Sequence, residues 1–317
     1  MSTCAFLTID TEFMWRYHAA GLPIEAIVQR SLDPAGVGVA YQLRMLARWG
    51  LKATFFVDPM PAVIYGLAPF RTLVAAIQAA GQEVQLHIHP NWAGASLTDR
   101  SAHARFDLTG YSAREQCDLI AGARDLLMAA GAPSPVAFRA GSYAANDDTL
   151  DALAALGITY DSSHNGAEDP TSSALSLPRR QIAPVEHRGV IEVPVTLIED
   201  RGGTLRHFQL CALSVSEMRA ALDHARRERH AAVTIVSHGF ELANRAGTRA
   251  NGIHVRRFEV LCRMLAERRA AMPTTHFADW PEPPLGQRDV PLGPNMLRTR
   301  WRQAEQLWSN LVEERAA

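Results

Sequence analysis

Residues 112–139 read SAREQCDLIAGARDLLMAAGAPSPVAFR, and this stretch contains one complete helix-to-strand transition. Ser112 followed by Glu115 forms a capping box, which predicts the start of a helix. Apolar residues then recur at helical spacing until Gly131, which predicts its end. The apolar run at residues 136–139 is typical of a buried strand. A unit of this kind is the building block of an α/β fold.

Similar units recur along the whole chain. Apolar, β-branched or aromatic runs predict strands at residues 4–10, 53–57, 83–89, 136–139, 158–161, 190–196, 233–238 and 274–277. Further helical patterns with start or stop signals occupy residues 146–156, 214–229 and 253–269. Strands that alternate with helices form a parallel sheet with helical crossovers, and seven or eight such units fit one barrel domain.

We expect this barrel to span residues 1–280. Two long irregular stretches, residues 11–34 and 90–111, are expected to form loops at its rim. Residues 281–317 are predicted to form a Pro- and Gly-rich linker and a C-terminal amphipathic helix. We expect the apolar face of this helix to pack on the barrel rather than on a membrane or a second copy, and its residues are Leu297, Trp301, Ala304, Trp308 and Leu311.

The composition is that of a soluble globular protein. The chain has 317 residues, 47% of them hydrophobic, with 32 basic and 33 acidic residues and a net charge of -1. This balance excludes disorder and a fibrous repeat, and it gives no support to nucleic acid binding. The absence of a secretory leader and of a membrane-length apolar run predicts a cytoplasmic protein without an integral membrane segment. The four separated cysteines are predicted to be reduced, and a homo-oligomer is left open.

Ionisable residues stand where several predicted strands end. In a barrel, the chemistry gathers at the C-terminal ends of the strands. Asp10 and Glu12 are two residues apart and should point to the same side, which suits a general base or a metal site. His87 and His89 repeat this spacing before a proline, and two imidazoles so placed predict a metal site.

Three further strand ends carry candidate catalytic residues. Arg139 closes a strand, and its guanidinium needs a carboxylate partner such as Asp10 or Glu12. His238 precedes a glycine and is a candidate general acid or base. Asp161 could orient a catalytic histidine, although a helix cap or an Asx-turn explains it equally well. We expect the remaining candidates to be loop or surface residues, namely His18, His164 and His254.

The order of these motifs resembles the polysaccharide deacetylase superfamily, the metal-dependent carbohydrate esterases related to chitin and peptidoglycan deacetylases. Thr8-Ile9-Asp10-Thr11-Glu12 looks like an Asp-x-Glu variant of the family's Thr-Phe-Asp-Asp-Gly motif, and Ala53-Thr54-Phe55-Phe56-Val57 follows it as expected. His87-Ile88-His89-Pro90 is similar to a variant branch, since the family's histidines usually stand four residues apart. Phe138-Arg139-Ala140-Gly141-Ser142-Tyr143 and Ser237-His238 match the arginine motif and the final histidine motif.

The resemblance spans residues 6–277 and implies an incomplete (β/α)7 barrel. It implies a divalent metal, with zinc as the first choice, held by Glu12, His87 and His89. The implied substrate is a small-molecule or oligosaccharide amino sugar, from which an N-acyl group, first of all acetyl, is removed by hydrolysis. The lack of a leader favours a cytoplasmic glycoconjugate precursor as that substrate.

The resemblance also implies a role for each remaining site residue. Asp10 would be the general base that activates water, and Arg139 would hold it in place. His238 would be the general acid that protonates the leaving amine, with a carboxylate such as Asp161 keeping it protonated. The backbone near Tyr143 would help to form the oxyanion hole.

Two other functions fit parts of the same pattern. An amidohydrolase acting on a non-sugar amide, or a phosphoesterase barrel, also uses His-x-His with carboxylates, but places that motif on its first strand rather than its third. A catalytically silent barrel could bind a glycan in the same cavity. The presence of Asp10, Arg139 and His238 together favours the enzyme.

Overall fold

The computed structural model describes residues 3–98, 105–280 and 282–314. Within these ranges the strands are β1 Cys4–Thr11, β2 Thr54–Val57, β3 Glu83–Ile88, β4 Ala137–Ala140, β5 Tyr160–Asp161, β6 Val185–His187, β7 Val190–Glu192, β8 Leu197–Glu199, β9 Leu205–His207 and β10 Ala232–His238. The helices are α1 Trp15–Ala19, α2 Ile24–Leu32, α3 Val39–Trp49, α4 Ala62–Tyr65, α5 Ala68–Ala79, α6 Ala113–Ala129, α7 Asp147–Ala155, α8 Val215–Glu228, α9 Gly252–Arg268 and α10 Met296–Trp308.

The main sheet has eight strands in the order β10-β1-β2-β3-β4-β5-β7-β6. Seven of these strands are paired in parallel through the described residues, and only β6 is antiparallel to its neighbour β7. Long crossovers, most of them helical, connect the parallel strands, as the alternation of patterns predicts. The curled sheet is the incomplete (β/α)7 barrel expected from the sequence.

An irregular segment, rather than a ladder of paired strands, spans the opening between β7 and β10. Its start is bonded to the β5 side, where the Val193 N–H donates to the Asp161 carbonyl. Further along, the Thr196 and Leu210 N–H groups donate to the Thr234 and Val236 carbonyls of β10. The hairpin formed by β8 and β9 protrudes between these contacts. A few backbone hydrogen bonds and the isolated bridge between Gln209 and Val236 therefore connect this segment to β10.

The first strand is buried on both faces, as expected for a parallel sheet covered by helices. Its Phe6 packs in an aromatic cluster with Phe56, Tyr160, Phe277 and Trp280. Because side chains alternate along a strand, Thr8 and Asp10 lie on the same face as Phe6. Asp10 therefore stands above an apolar layer, at the C-terminal end of the strand.

Two regions differ from the sequence predictions. Residues 11–34 are not one irregular loop, because α1 and α2 lie within them. The predicted strand at residues 274–277 is reduced to a single bridge between Ala5 and Thr274. The short apolar run predicted a strand, but its apolar character reflects side-chain packing, because the ring of Phe277 packs against the ring of Phe6.

The C-terminal helix is present as α10, but its predicted orientation is wrong. The side chain of Leu297 is 80% exposed and that of Trp301 62% exposed, so the apolar face points to solvent. Polar side chains of the helix face the barrel instead, through Arg302 with Asp200 and Glu305 with Arg257. The boundary near residue 280 stays a prediction.

The described part of the chain contains no helix that is both long and apolar enough to cross a bilayer. The four cysteines, all within the described ranges, are free thiols, and Cys262 is fully buried.

Candidate active site

One polar cavity of about 440 Å³ opens where β1, β3, β4 and β10 end. Strand register explains the convergence, because Asp10 pairs with His238, and His87 pairs with Arg139, on neighbouring parallel strands. The cavity is lined by Asp10, Glu12, His87, His89, Ala140, Ser142, Tyr143, Glu168, Ser172, His207, Gln209 and His238. Six of the eight predicted site residues therefore line a single cavity.

Glu12, His87 and His89 form a cluster with the chemistry of a metal site. One ligand atom from each lies within 4.8 Å of the others. Nδ1 of His87 lies 2.7 Å from the Arg139 carbonyl oxygen. Since a carbonyl only accepts, Nδ1 carries the proton and Nε2 keeps its lone pair for a cation. Two imidazoles and one carboxylate are a ligand set that zinc uses in catalytic sites, so these residues fit a divalent metal.

The protonation of the three side chains follows from their burial and mutual charge. Burial raises the pKa of Glu12, but the neighbouring His89 and His87 outweigh it and lower the pKa to about 2. Burial lowers the pKa of His89, yet its ion pair with Glu12 raises it to about 9. Burial lowers the pKa of His87 to about 4. A cation must therefore displace a proton from His89, whereas His87 is ready to bind it.

Gly141 gives His89 the space for its ring. A Cβ atom at residue 141 would lie 2.5 Å from Nδ1 and Cε1 of His89. The ring is also held by its bond to Glu12, so it cannot move without leaving the cluster. A residue larger than glycine at this position of the arginine motif would therefore collide with the His89 ring, which only the structure shows.

We expect Gly141→Ala to weaken zinc binding by about 10- to 100-fold, since the new methyl group displaces one ligand. Competition with a zinc-binding dye would measure this affinity. Gly122→Ala is the matched control, because a Cβ on that residue of α6 meets no atom within 4 Å. Equal zinc affinity in Gly141→Ala and the wild type would remove the ligand role from His89.

Asp10 and Arg139 form a buried ion pair behind the metal cluster. Nη1 of Arg139 donates to Oδ1 of Asp10 at 2.7 Å and to Oγ1 of Thr8 at 2.8 Å. Its Nε and Nη2 donate to the backbone and side-chain oxygens of Ser162. The guanidinium also stacks 4.5 Å above the Phe56 ring. Arg139 is completely buried, and it leaves Oδ2 of Asp10 directed toward His238 at 4.0 Å.

The carboxylate beside His238 is Glu241, which the sequence analysis missed. Oε2 of Glu241 accepts from the backbone N–H of His238 at 3.1 Å and lies 3.9 Å from Nδ1 of the His238 ring. Gln209 donates to the other oxygen of Glu241 at 2.9 Å, and His254 bonds its carbonyl. Burial lowers the pKa of His238, but Glu241, Asp10 and Glu12 outweigh it and raise the pKa to about 9. The pKa of Glu241 falls well below its usual range because of the same ion pair.

The structure corrects the prediction that Asp161 orients His238. Asp161 accepts hydrogen bonds from the Ser163 side chain and backbone at 2.7 and 3.2 Å, and its carboxyl contacts that of Glu192. Four strands separate β5 from β10 in the sheet, which keeps Asp161 away from His238. Burial raises the pKa of Asp161, and burial together with the charge of Asp161 raises the pKa of Glu192 well above its usual range.

Tyr143 lies on a strained turn at the edge of the cavity. Ser142 and Tyr143 have φ values of 55° and 60°, a region that non-glycine residues rarely adopt. Strain of this kind costs about 1–3 kcal/mol per residue and is typical of functional sites. The Tyr143 hydroxyl is buried, and its ring contacts that of His207.

Further polar residues line the same cavity, and no sequence motif pointed to them. They are Glu168, Ser172, His207 and Gln209, here called the second wall. His207 is the last residue of β9, and its Nε2 lies 2.6 Å from Oε1 of Gln209. Because the Gln209 amide nitrogen donates to Glu241, this oxygen must accept, so His207 Nε2 carries the proton. Nδ1 is then an acceptor, on the side of Glu168. This wall offers polar groups to a substrate beside the reacting centre.

Several further predictions are corrected by burial. The three histidines expected in loops or at the surface, His18, His164 and His254, are all buried. His18 and His254 lie in α1 and α9, whereas His164 lies outside the helices and strands. Asp58, which directly follows β2, is also fully buried, and burial raises its pKa to about 7. It lies near His89 and stands at a strand end, so the rule used for Asp10 could have found it. For Glu241, the only signal in the sequence was its position three residues after His238.

Comparisons with known proteins agree with this architecture. Residues 37–160 match the family model for polysaccharide deacetylases. The matched segment contains His87, His89, Arg139 and Tyr143, whereas β1 and β10 lie outside it. No curated protein matches the chain.

Solved structures with a similar fold cover most of the chain. A Mycobacterium smegmatis protein assigned as a polysaccharide deacetylase has a TM-score of 0.59 and 18% identity, over 91% of this chain and 96% of that one. The 4-α-glucanotransferase from Thermococcus litoralis has a TM-score of 0.52 and 10% identity, over 92% of this chain and 41% of that one. A family 4 carbohydrate esterase from Streptomyces lividans, in complex with acetate, has a TM-score of 0.44 and 14% identity, over 91% and 98% of the two chains.

The fold and the cavity define a (β/α) barrel with a candidate metal site beside Asp10 and His238. The family match over residues 37–160 and the fold shared with the Mycobacterium smegmatis protein agree with the resemblance to the polysaccharide deacetylase superfamily.

Proposed function

We propose that the chain is a metal-dependent hydrolase that removes an N-acyl group, first of all acetyl, from an amino sugar. The observation that carries the proposal is the side-by-side placement of the Glu12, His87 and His89 cluster and the Asp10–His238 pair in one cavity. A cleft that combines a metal site with paired acid–base groups suits hydrolysis of an amide. The proposed metal is zinc, because of the two imidazoles and one carboxylate.

The chain's own groups divide the proton transfers. A bound divalent metal would supply Lewis acidity, which lowers the pKa of water and polarises the acyl oxygen. Asp10 takes the proton of the attacking water through Oδ2, since Arg139 already occupies Oδ1. His238 gives a proton to the departing amine, and Glu241 keeps it protonated for that step. The backbone at Tyr143 is proposed to bind the developing oxyanion.

The second wall of the cavity is proposed to position the sugar. Glu168, Ser172 and the Nδ1 of His207 offer acceptors and one hydroxyl, and the ring of Tyr143 borders them. Sugar hydroxyls need partners of this kind when they leave water. The wall lines the same cavity as Asp10 and His238, so a sugar bound to it is proposed to present its acylamino group to those two residues.

The test is acetate release from a panel of soluble N-acetylated amino sugars. Release is measured with protein from which metal has been removed by a chelator, before and after zinc is added. We expect release only with metal. Binding of the sugars without release, under every metal tried, would favour the catalytically silent barrel, and release from non-sugar amides alone would favour the amidohydrolase.

The pH profile tests the role of His238. The groups that face it are Asp10 of β1, Glu12 just after that strand, Glu241, and Gln209 with His207 from the hairpin side. Since a general acid must be protonated, we expect kcat to fall as the pH rises through about 9, the pKa of His238.

Replacing Glu241 removes the charge that raises this pKa. In Glu241→Gln we expect the alkaline limb of kcat to move to lower pH by about one to three pH units. Glu259→Gln is a matched control on the outer face of α9, where Glu259 bonds only Tyr41 among its described partners. An unchanged alkaline limb in Glu241→Gln would contradict the pairing of Glu241 with a general acid.

A further inference from the structure

The C-terminal helix α10 packs with its polar side inward. Thr299 donates to Asp200 at 2.8 Å, and Arg302 contacts the same carboxylate at 3.1 Å. Glu305 accepts from Arg257 at 2.8 Å, and Ser309 from Asn251 at 3.0 Å. The helix is therefore anchored by ion pairs and hydrogen bonds.

The opposite side of this helix is apolar and faces solvent. Leu297 is 80% exposed, Trp301 62%, Leu307 61%, Trp308 58% and Leu311 50%. We call these five residues the apolar stripe. Single exposed apolar residues are ordinary, but a contiguous row of large ones is typical of an interaction surface. Tryptophan has an apolar ring and a polar N–H, so the two tryptophans fit a partner whose apolar interior borders water.

A groove rich in arginine adjoins the apolar stripe. Trp301 lines this groove of about 420 Å³ together with residues of α8 and α9. Arg219, Arg256 and Arg263 line it with exposed side chains, and we call these three the arginine groove. The single acidic residue among its lining residues, Glu305, is already bonded to the buried Arg257. Of the three arginines, only Arg263 has an acidic partner among the described residues, Glu267 at 3.8 Å. Arg219 and Arg256 therefore leave the surface beside the stripe positive, although the whole chain has a net charge of -1.

Both features lie at the same end of the barrel as the cavity. Helix α9 begins after the loop that follows His238, and the glycine at its start contacts Glu313, just beyond α10. Arg256 stands in the first turns of α9, and Arg219 in the first turns of α8. A partner bound here would cover the flank of the cavity's open end.

We propose that the apolar stripe and the arginine groove form one docking surface for an anionic lipid bilayer. Exposed leucines and tryptophans beside arginines are the features of helices that lie in the plane of a membrane surface. Negatively charged headgroups complement the arginine groove, and the leucines enter the interface. A second copy fits less well, because symmetric pairing through the stripe would bring the two arginine grooves close together. The proposal is independent of the hydrolytic function.

The test is co-sedimentation of the full chain with vesicles. We expect binding to vesicles of phosphatidylglycerol and phosphatidylcholine, weaker binding in high salt, and little binding to phosphatidylcholine alone. The variants Leu297→Gln/Trp301→Gln/Trp308→Gln and Arg219→Gln/Arg256→Gln/Arg263→Gln should each bind at least about tenfold more weakly. Matched controls are Val63→Gln/Met128→Gln, which are exposed apolar residues of α4 and α6, and Arg226→Gln/Arg227→Gln at the far end of α8.

The remaining outcomes overturn the proposal. Wild-type protein that stays in the supernatant, or variants that bind as the wild type does, would remove the bilayer as the partner. A wild-type dimer in solution that the stripe variant converts to a monomer, without vesicle binding, would assign the stripe to a second copy.

Equal thermal unfolding and equal acetate release from soluble sugars in all variants would show that folding and the cavity are intact.

Discussion

Asp10→Asn is expected to lower kcat/KM for acetate release by about 100- to 10,000-fold while zinc remains bound. The asparagine oxygen can still accept from Arg139, so the local geometry is retained. The amide cannot take a proton from water, which removes the base and leaves the Glu12, His87 and His89 cluster in place. Steady-state kinetics with zinc analysis of the same sample would measure both effects.

The matched control is Asp161→Asn, which also changes one buried carboxyl to an amide. Asp161 lies beside Ser163 and Glu192 and does not line the cavity. We expect its kcat/KM to stay within a few-fold of the wild type. Loss of zinc in Asp10→Asn would make Asp10 a ligand instead of a base, and a large loss of activity in Asp161→Asn would restore its predicted role.

Arg139→Leu is expected to lower the free energy of unfolding by about 3–5 kcal/mol. The substitution leaves Asp10 buried without its cation, since the Asp10 side chain is only 5% exposed. It also removes the donors to Thr8 and Ser162. Urea denaturation followed by circular dichroism would measure the loss.

A double variant separates the ion pair from simple packing. In Asp10→Asn/Arg139→Leu the buried charge is gone, so part of the lost free energy of unfolding should return. Arg188→Leu is the control, because its ion pair with Asp151 is about half exposed and such pairs contribute little. A single Arg139→Leu variant as stable as the wild type would show that Asp10 is neutral or solvated in the fold.

The sequence predicted most of the barrel because its signals are local. The capping boxes at Ser112 and Ser214 begin α6 and α8 as predicted. The strand ends at Asp10, His87 and His238 converge because parallel strands present their carboxyl ends together. The prediction was wrong for residues 11–34, where α1 and α2 carry no side-chain cap.

The partners of the site residues were harder to predict. Asp161 and Glu241 are both carboxylates near a strand end, and sequence spacing alone does not say which one is close to His238. The choice depends on sheet order, because four strands lie between β5 and β10, whereas Glu241 lies in the loop directly after β10. His207 and Gln209 reach the cavity from a hairpin whose position follows from long-range contacts with β10.

By itself, the sequence determined the alternation of strands and helices and the row of polar residues at the strand ends. These properties follow from side-chain periodicity and capping, which act over a few neighbouring residues. Only the tertiary structure decided that Glu241 pairs with His238, that Gly141 makes room for His89, and that α10 turns its apolar side to solvent. Each of these features depends on contacts between residues that are distant in the sequence. The ion pair between Arg257 and Glu305, for example, helps to turn the polar side of α10 inward, although the apolar pattern of the helix predicts the reverse orientation.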